Sequence, residues 1–256
     1  MSSPFLNTAL DAARAAAEVI RRYYQRNLEV IIKADKSPVT QADVETEQVI
    51  RKVIGERFPS HGFYGEETGQ SAMDAEYLWL VDPIDGTKAF VRGVPLWGTL
   101  VAVAEGSHVL AGAAFFPAVR ELVVAGVAEG CWWNDMACSV SPIADIGAST
   151  LLTTDDRFPD NQVRRDAWRD LAARSALCRT WGDCYGYLLV ATGRAEAMVD
   201  GVVSPWDVAA FAPIITEAGG VLTDWNGAHT PFGSGALATN ARLSREVRSA
   251  LGVAVR

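Results

Sequence analysis

The sequence predicts an α+β protein whose two halves are built differently. Three observations carry that reading: two segments near the start with helical periodicity, a series of short β-rich runs between residues 98 and 133, and alternating helix and strand signals after residue 150. The division falls at 145, giving an α+β unit over 1–145 with an antiparallel sheet and an α/β unit over 146–256 with a mixed sheet. No linker-like stretch, internal repeat or low-complexity tract interrupts the chain.

Residues 8–26 carry Ala9, Leu10, Ala13, Ala17, Ile20 and Tyr24 at the spacing of one apolar helix face. The stretch 33–38 is turn-like. A second helix is expected over about 40–57, with Val44, Ile50, Val53 and Ile54 as its buried stripe. Phe58-Pro59 ends it, because proline lacks the N–H that would continue the ladder. Tyr77-Leu78-Trp79-Leu80-Val81 reads as a buried strand stopped at Asp82-Pro83. The runs 98–105, 110–116, 122–127 and 130–133, separated by Gly, Pro or charged turns, form an antiparallel meander. In the second half, helix signals cover about 160–175, 184–192, 206–217 and 242–251, and strand signals about 150–154, 195–199, 220–224 and 235–239.

Composition removes several classes of function. A net charge of −8 argues against a protein that grips DNA or RNA through its phosphates. No run approaches the ~18 apolar residues a membrane span needs. The first residues lack the basic start and apolar stretch of a secretory signal, so a cytoplasmic protein is expected. Cys131, Cys138, Cys178 and Cys184 show no CxxC pair and no histidine at zinc-like spacing, which suits free thiols in a reducing compartment. His61, His108 and His229 are scattered and read as structural or surface residues. Neither GxxxxGK[ST] nor GxGxxG occurs, so ATP or dinucleotide binding has no support. The eight tryptophans read as core and rim packing, with Trp181 the one most open to a ligand role.

The chemistry is carried by carboxylates. In Asp82-Pro83-Ile84-Asp85-Gly86-Thr87 a strand end presents two acids and the Ile84 carbonyl, a set of oxygens that suits Mg²⁺. Gly86 and Thr87 can open a turn or helix whose N–H groups face a phosphate. The same string also serves as a plain turn, since Asp, Pro and Gly all favour turns. Glu66 follows a short apolar piece, and Asp43 lies near the start of the second helix. Asp207 follows Ser204-Pro205, an N-cap and first-position pair; an acid there also suits the helix dipole.

Gly65-Glu66-Glu67, Asp82-Pro83-Ile84-Asp85-Gly86-Thr87 and Trp206-Asp207-Val208-Ala209-Ala210 occur in the order and at about the spacing of a known family. The chain resembles the inositol monophosphatase family of lithium-sensitive, magnesium-dependent phosphatases along nearly its full length. The resemblance implies a layered α-β-α-β-α sandwich of the sugar-phosphatase type, two or three Mg²⁺ ions, and a homodimer acting on a small phosphorylated metabolite. It implies Glu66, Asp82, the Ile84 carbonyl, Asp85 and Asp207 as metal ligands, with Asp43 a further acid near the metals. Thr87 would orient the attacking water with Glu66, while Gly86 and Thr87 hold the phosphate. Lys33 lies close to where the family carries an active-site lysine. Metal ions reconcile an acidic protein with a phosphate dianion by reversing the local sign and acidifying the attacking water.

Within the family, Asp85-Gly86-Thr87-Lys88-Ala89-Phe90 departs from the Asp-Gly-Thr-x-Asn-Phe typical of inositol monophosphatases. Arg179-Thr180-Trp181-Gly182-Asp183-Cys184-Tyr185-Gly186-Tyr187 and Pro95-Leu96-Trp97-Gly98-Thr99 look like histidinol-phosphate phosphatases. Asp183 and Asp200 would face that substrate's cationic alcohol; Asp183 is equally a helix-start acid. Lys88 is similar to the branch that removes the 3′-phosphate of phosphoadenosine phosphate, and inositol monophosphate and fructose bisphosphate remain open. A non-catalytic relative that kept the fold is the alternative of another class, and the intact motifs argue against it.

Overall fold

The computed structural model describes residues 3–26, 30–32, 38–159 and 161–254. Ser3 caps α1 (Pro4–Ile20): its hydroxyl accepts from the Leu6 N–H at 3.2 Å, and Pro4 takes the first position. The helix therefore starts earlier than its apolar spacing indicated, and residues 21–26 are turns rather than helix. β1 (Val30–Ile32) pairs antiparallel with β2 (Pro38–Thr40), and Lys33 with the rest of 33–37 lies outside the described residues.

α2 (Gln41–Arg57) starts where it was expected and buries Ile50 and Ile54 as expected, but the rest of its inward face is largely polar and Val44 turns outward. Ala42, Asp43, Thr46, Glu47, Ile50 and Ile54 point inward, while Val44 is 37% exposed. Positions 43, 46, 47, 50 and 54 follow helical spacing, so the inward stripe is regular but half polar.

The large sheet comprises β3 (Gly62–Gly65), β4 (Gly69–Ser71), β5 (Tyr77–Asp85), β6 (Gly98–Glu105), β7 (His108–Phe116), β8 (Glu121–Gly126), β9 (Gly130–Trp133) and β10 (Met136–Ala137). A short helix, α3 (Thr87–Phe90), follows β5. The spatial order is β10-β9-β8-β7-β6-β5-β3-β4, antiparallel throughout except for the β3–β5 pair. The meander from β6 to β9 matches the spacing of turn residues in the sequence.

β5 does not stop at Asp82-Pro83. Asp82 lies opposite Leu100 and Asp85 opposite Gly98, so β5 carries one extra residue in a bulge. Pro83, which has no N–H to donate, sits in that bulge, and its carbonyl accepts from Thr99 Oγ1 at 2.8 Å. In a regular strand residues three apart face opposite sides of the sheet. The extra residue lets Asp82 and Asp85 converge.

A short 3₁₀ turn (Ile146–Ala148) leads into the second half. It contains β11 (Thr150–Leu152), α4 (Gln162–Arg174), β12 (Leu177–Arg179), α5 (Asp183–Ala191), β13 (Ala197–Asp200), α6 (Pro205–Val208), α7 (Phe211–Glu217), β14 (Gly220–Thr223), β15 (Ala236–Asn240) and α8 (Ser244–Ala250). The order β12-β11-β13-β15-β14 is mixed: β11 is parallel to β12 and β13, and β15 antiparallel to β13 and β14. The single helix expected over 206–217 is two, bent at Ala209 and Ala210. Gly112 of β7 lies flush against that bend; a Cβ there would overlap the Ala210 carbonyl.

Three apolar clusters hold five layers together. α1 and α2 cover one face of the large sheet through Trp79, Val81 and Val101. The alternate residues Leu80 and Leu100 face Leu188, Phe211 and Ile214 of α5 and α7, which lie between the two sheets. Trp168 of α4 and Val247 of α8 pack on Val199 and Leu237 at the outer face of the small sheet. The result is the α-β-α-β-α sandwich. Among the described residues no helix is long and apolar enough to cross a membrane.

Candidate active site

The bulge of β5 and the start of α6 bring three acids together. Carboxylate oxygens of Asp82, Asp85 and Asp207 lie within 4.8 Å of one another, with Asp82 buried and the other two partly exposed. Each is fixed by a backbone donor. The Ile84 N–H donates to Asp82 Oδ1 at 2.9 Å, the Cys184 N–H to Asp85 Oδ2, and the Ser204 N–H to Asp207 Oδ2 at 2.7 Å. Ser204 as N-cap and Pro205 at the first position of α6 are as the sequence indicated; Asp207 also reaches back to the Ser204 N–H, closing a capping box.

Like charges crowd this point. Burial, then Glu66, Asp85, Asp207 and Asp43, push Asp82 well above the usual carboxylate range. Burial with Asp183 and Asp207 does the same to Asp85, against the Cys184 hydrogen bond. Asp207 is pushed up to about 7 by burial, opposed by the Ser204 N–H and aided by Glu66, Asp200 and Asp183. Asp43 is pushed up to about 6 by burial, with Glu66 adding to it and the Thr40 hydrogen bonds opposing. Thr40 gives both its N–H and its hydroxyl to Asp43 Oδ2, at 2.7 Å each, and among the described residues the buried Oδ1 has no hydrogen-bond partner. An all-oxygen, converging and mutually repelling donor set with an orphaned carboxylate oxygen beside it fits a hard divalent cation.

Glu66 stands just outside the trio, near enough for its charge to act on Asp43, Asp82 and Asp207. Its N–H donates to the Val81 carbonyl at 3.2 Å. Glu47 of α2 holds the following turn, accepting from the N–H groups of Glu67 at 2.8 Å and Thr68 at 2.7 Å, and from the Thr68 hydroxyl. Gly65 lies so close to the Glu47 carboxylate that a Cβ would collide with it. Tyr64 meets Trp206 edge-on at 4.9 Å, tying the Glu66 segment to the Asp207 helix.

The Ile84 carbonyl accepts from Thr87 Oγ1 at 2.9 Å, which leaves it a second lone pair. Gly86 has a φ of 83°, a left-handed conformation that glycine adopts without strain, and opens α3.

A second group of acids adjoins the first. Asp183 and Asp200 line a 70 Å³ cavity together with Asp85 and Asp207. Asp200 accepts from the Thr154 N–H and from the Tyr187 hydroxyl, both at 2.9 Å, and burial still pushes it up to about 6. The Asp183 N–H donates to Thr154 Oγ1 at 2.8 Å, and its φ of 50° is uncommon outside glycine. Burial raises the Asp183 carboxyl and Lys88 draws it back.

Of the residues singled out in the sequence, the structure brings Asp82, Asp85 and Asp207 together, sets Asp183 and Asp200 in a cavity with two of them, and puts Glu66 and Asp43 within reach of their charge; Lys33 lies outside the described residues. Sequence reasoning missed Glu47, Thr154, Cys184 and Tyr187. Glu47 was findable, lying four residues after Asp43 on the same helix face; Cys184 and Tyr187 lie within the segment already quoted for Asp183. Thr154 has no local signal, because its role depends on β11 and β13 meeting. His61 proved to be packing: it stacks on Phe58 and Tyr77 and accepts from Trp79 Nε1 at 3.1 Å.

Comparison with known proteins agrees with this geometry. The histidinol-phosphatase of Chlorobaculum parvum is 38% identical over 98% of this chain and 97% of its own length. That of Mycobacterium tuberculosis is 36% identical over 98% of this chain and 99% of its own. The structure superposes on the extragenic suppressor protein suhB of Bartonella henselae with a TM-score of 0.91, at 27% identity, covering 99% of this chain and all of that one. The inositol monophosphatase family matches residues 1–252, and the chain belongs to that family.

Proposed function

We propose that this chain is a histidinol-phosphatase, hydrolysing histidinol phosphate to histidinol and phosphate with two or three Mg²⁺ ions. The observation that carries the reading is the second acid pair. Asp183 and Asp200 share a cavity with two of the three clustered carboxylates, so a leaving alcohol bearing an ammonium meets negative charge next to the phosphate site. The two histidinol-phosphatase relatives, each matched over almost all of both chains, support it.

Asp82, Asp85, Asp207, Glu66 and the Ile84 carbonyl would hold the cations, which when bound supply positive charge to a phosphate dianion and favour deprotonation of the attacking water. Asp43, whose buried Oδ1 has no partner among the described residues, would accept from a water at the edge of that group. Glu66 and Thr87 would orient the nucleophile, Thr87 from the Ile84 carbonyl on which it is anchored. N–H groups of Gly86 and Thr87 would hold the phosphate in line for attack. Asp183 and Asp200 would bind the substrate's ammonium, Asp200 in a position fixed by Thr154 and Tyr187. A cytoplasmic homodimer, built as an α+β unit to about 145 and an α/β unit beyond, belongs to the same proposal.

The test is phosphate release by the purified protein with Mg²⁺ from histidinol phosphate, inositol 1-phosphate and phosphoadenosine phosphate. A kcat/KM about a hundredfold higher for histidinol phosphate is expected. Preference for either of the others overturns the substrate, and undiminished turnover in EDTA overturns the metal mechanism.

A further inference from the structure

The small cavity of Asp183 and Asp200 adjoins a larger one. A 280 Å³ chamber shares Thr154, Asp200 and Val202 with it and extends outward to Lys88, Phe158 and Arg164. Arg164, near the start of α4, is held in two ways. Its Nη1 donates to the Gly201 carbonyl at 3.1 Å, and its guanidinium carbon lies 4.2 Å from the centre of the Trp225 ring. Trp225 is itself fixed, since its Nε1 donates to the Asp200 carbonyl at 2.8 Å. One two-residue segment, Asp200-Gly201, thus offers a carboxylate to the inner cavity and two carbonyls that brace the wall of the outer one.

We infer that the outer chamber receives the far end of the leaving alcohol, and that Arg164 donates a hydrogen bond there to an uncharged, planar ring bearing an acceptor nitrogen. The inference rests on the substrate reading above and extends it to the ring. A guanidinium has five N–H donors, and the Gly201 carbonyl takes one of them. Partial burial lowers the Arg164 pKa, the sign of a cation that has given up some water, yet it stays charged. Such a group favours a neutral acceptor and disfavours a second cation, and the Asp155 carboxylate that also lines the chamber is already paired with Arg157. Because Arg164 is braced before anything binds, little side-chain freedom is lost on contact. Order along the cleft matches order along the molecule. The clustered carboxylates come first, then Asp183 and Asp200, then Arg164; histidinol phosphate runs from phosphate to ammonium to imidazole. A cyclitol phosphate has no such polarity.

The experiment compares the Mg²⁺-loaded wild type with Arg164→Gln and Arg164→Lys on two substrates. One is histidinol phosphate; the other is 2-aminopropyl phosphate, which keeps the phosphate and ammonium and lacks the ring. Arg164→Gln should lower kcat/KM for histidinol phosphate by about 10–100-fold, chiefly through KM, and change the ringless ester by less than about twofold. Arg164→Lys, which keeps the charge and stem but not the planar fork, should fall between. Equal losses on both substrates, or none on either in both variants, overturn the inference. A wild type that prefers inositol 1-phosphate or phosphoadenosine phosphate overturns the substrate reading beneath it, an outcome distinct from a histidinol-phosphate enzyme whose Arg164 variants ignore the ring.

Discussion

α1 and α2 are both 17 residues long, pack on each other and cover the same face of the large sheet. They bury opposite kinds of side chain. α1 turns Ala9, Ala12, Ala13, Ala16, Ala17 and Ile20 inward, all essentially without solvent contact. α2 turns Asp43, Thr46 and Glu47 inward with equal completeness, and only Ala42, Ile50 and Ile54 are apolar there. An apolar stripe holds a helix to its sheet. A polar stripe at the same depth needs partners, and α2 finds them at the site: Thr40 for Asp43, and the turn after Glu66 for Glu47. The difference teaches that α2 helps build the candidate site, while α1 serves the scaffold.

The sharpest way to break that contrast is to remove charge from the centre it serves. Asp82→Asn should lower kcat/KM by about 10³-fold or more while the protein stays folded, judged by circular dichroism and phosphate release. Next in size is Glu47→Ala, which strips three hydrogen bonds from the turn carrying Glu66. It should cost about 3 kcal/mol of stability and, if Glu66 has the role proposed above, about 10–100-fold in activity, since the turn both stabilises the fold and positions Glu66.

Asp43→Asn separates the two roles within one residue. In the wild type without metal, Asp43 with a folded pKa of about 6 binds its proton more tightly than it does unfolded. The stability tied to that proton is present below the unfolded value near 4 and is lost as pH rises through about 6. Melting in EDTA should therefore show Tm falling from pH 5 to 7.5. Asp43→Asn should reduce that fall by about 1.4 kcal/mol and lower activity when Mg²⁺ is restored. A slope unchanged by the substitution would put the pH response elsewhere in the carboxylate group. Smallest are the scaffold controls. Ala13→Leu should overpack α1 by about 1–3 kcal/mol with kcat unaltered, and Val44→Gln on the outer face of α2 should move stability by less than about 0.5 kcal/mol.

The same two helices explain which parts of the fold were legible in the sequence. Where burial is apolar, spacing reveals it: the stripe of α1, the meander between Gly98 and Trp133, and the alternation of the second half. Where burial is polar, hydrophobic spacing misleads, and Val44 was taken for core because Asp43 and Glu47 were not counted as a face. The start of α1 is written in Ser3-Pro4, a cap signal that an apolar spacing beginning at Ala9 does not reach. The bulge at Pro83 and the parallel pairing of β3 with β5 depend on strands distant in sequence, so no local pattern announces them. The clustered acids were legible because three separate segments each carried a recognisable string. Thr154 and Arg164 were not, because they become neighbours of Asp200 only once the small sheet has formed.

The hydrogen bond from the Cys184 backbone to Asp85 has a practical consequence. The Cys184 thiol is buried, and burial together with Asp85, Asp183 and Asp82 pushes its pKa well above that of an ordinary thiol. Such a thiol is nearly inert to alkylation while that turn stays folded, because the thiolate is the reacting species. Its labelling rate therefore works as a clock for local opening of the first turn of α5.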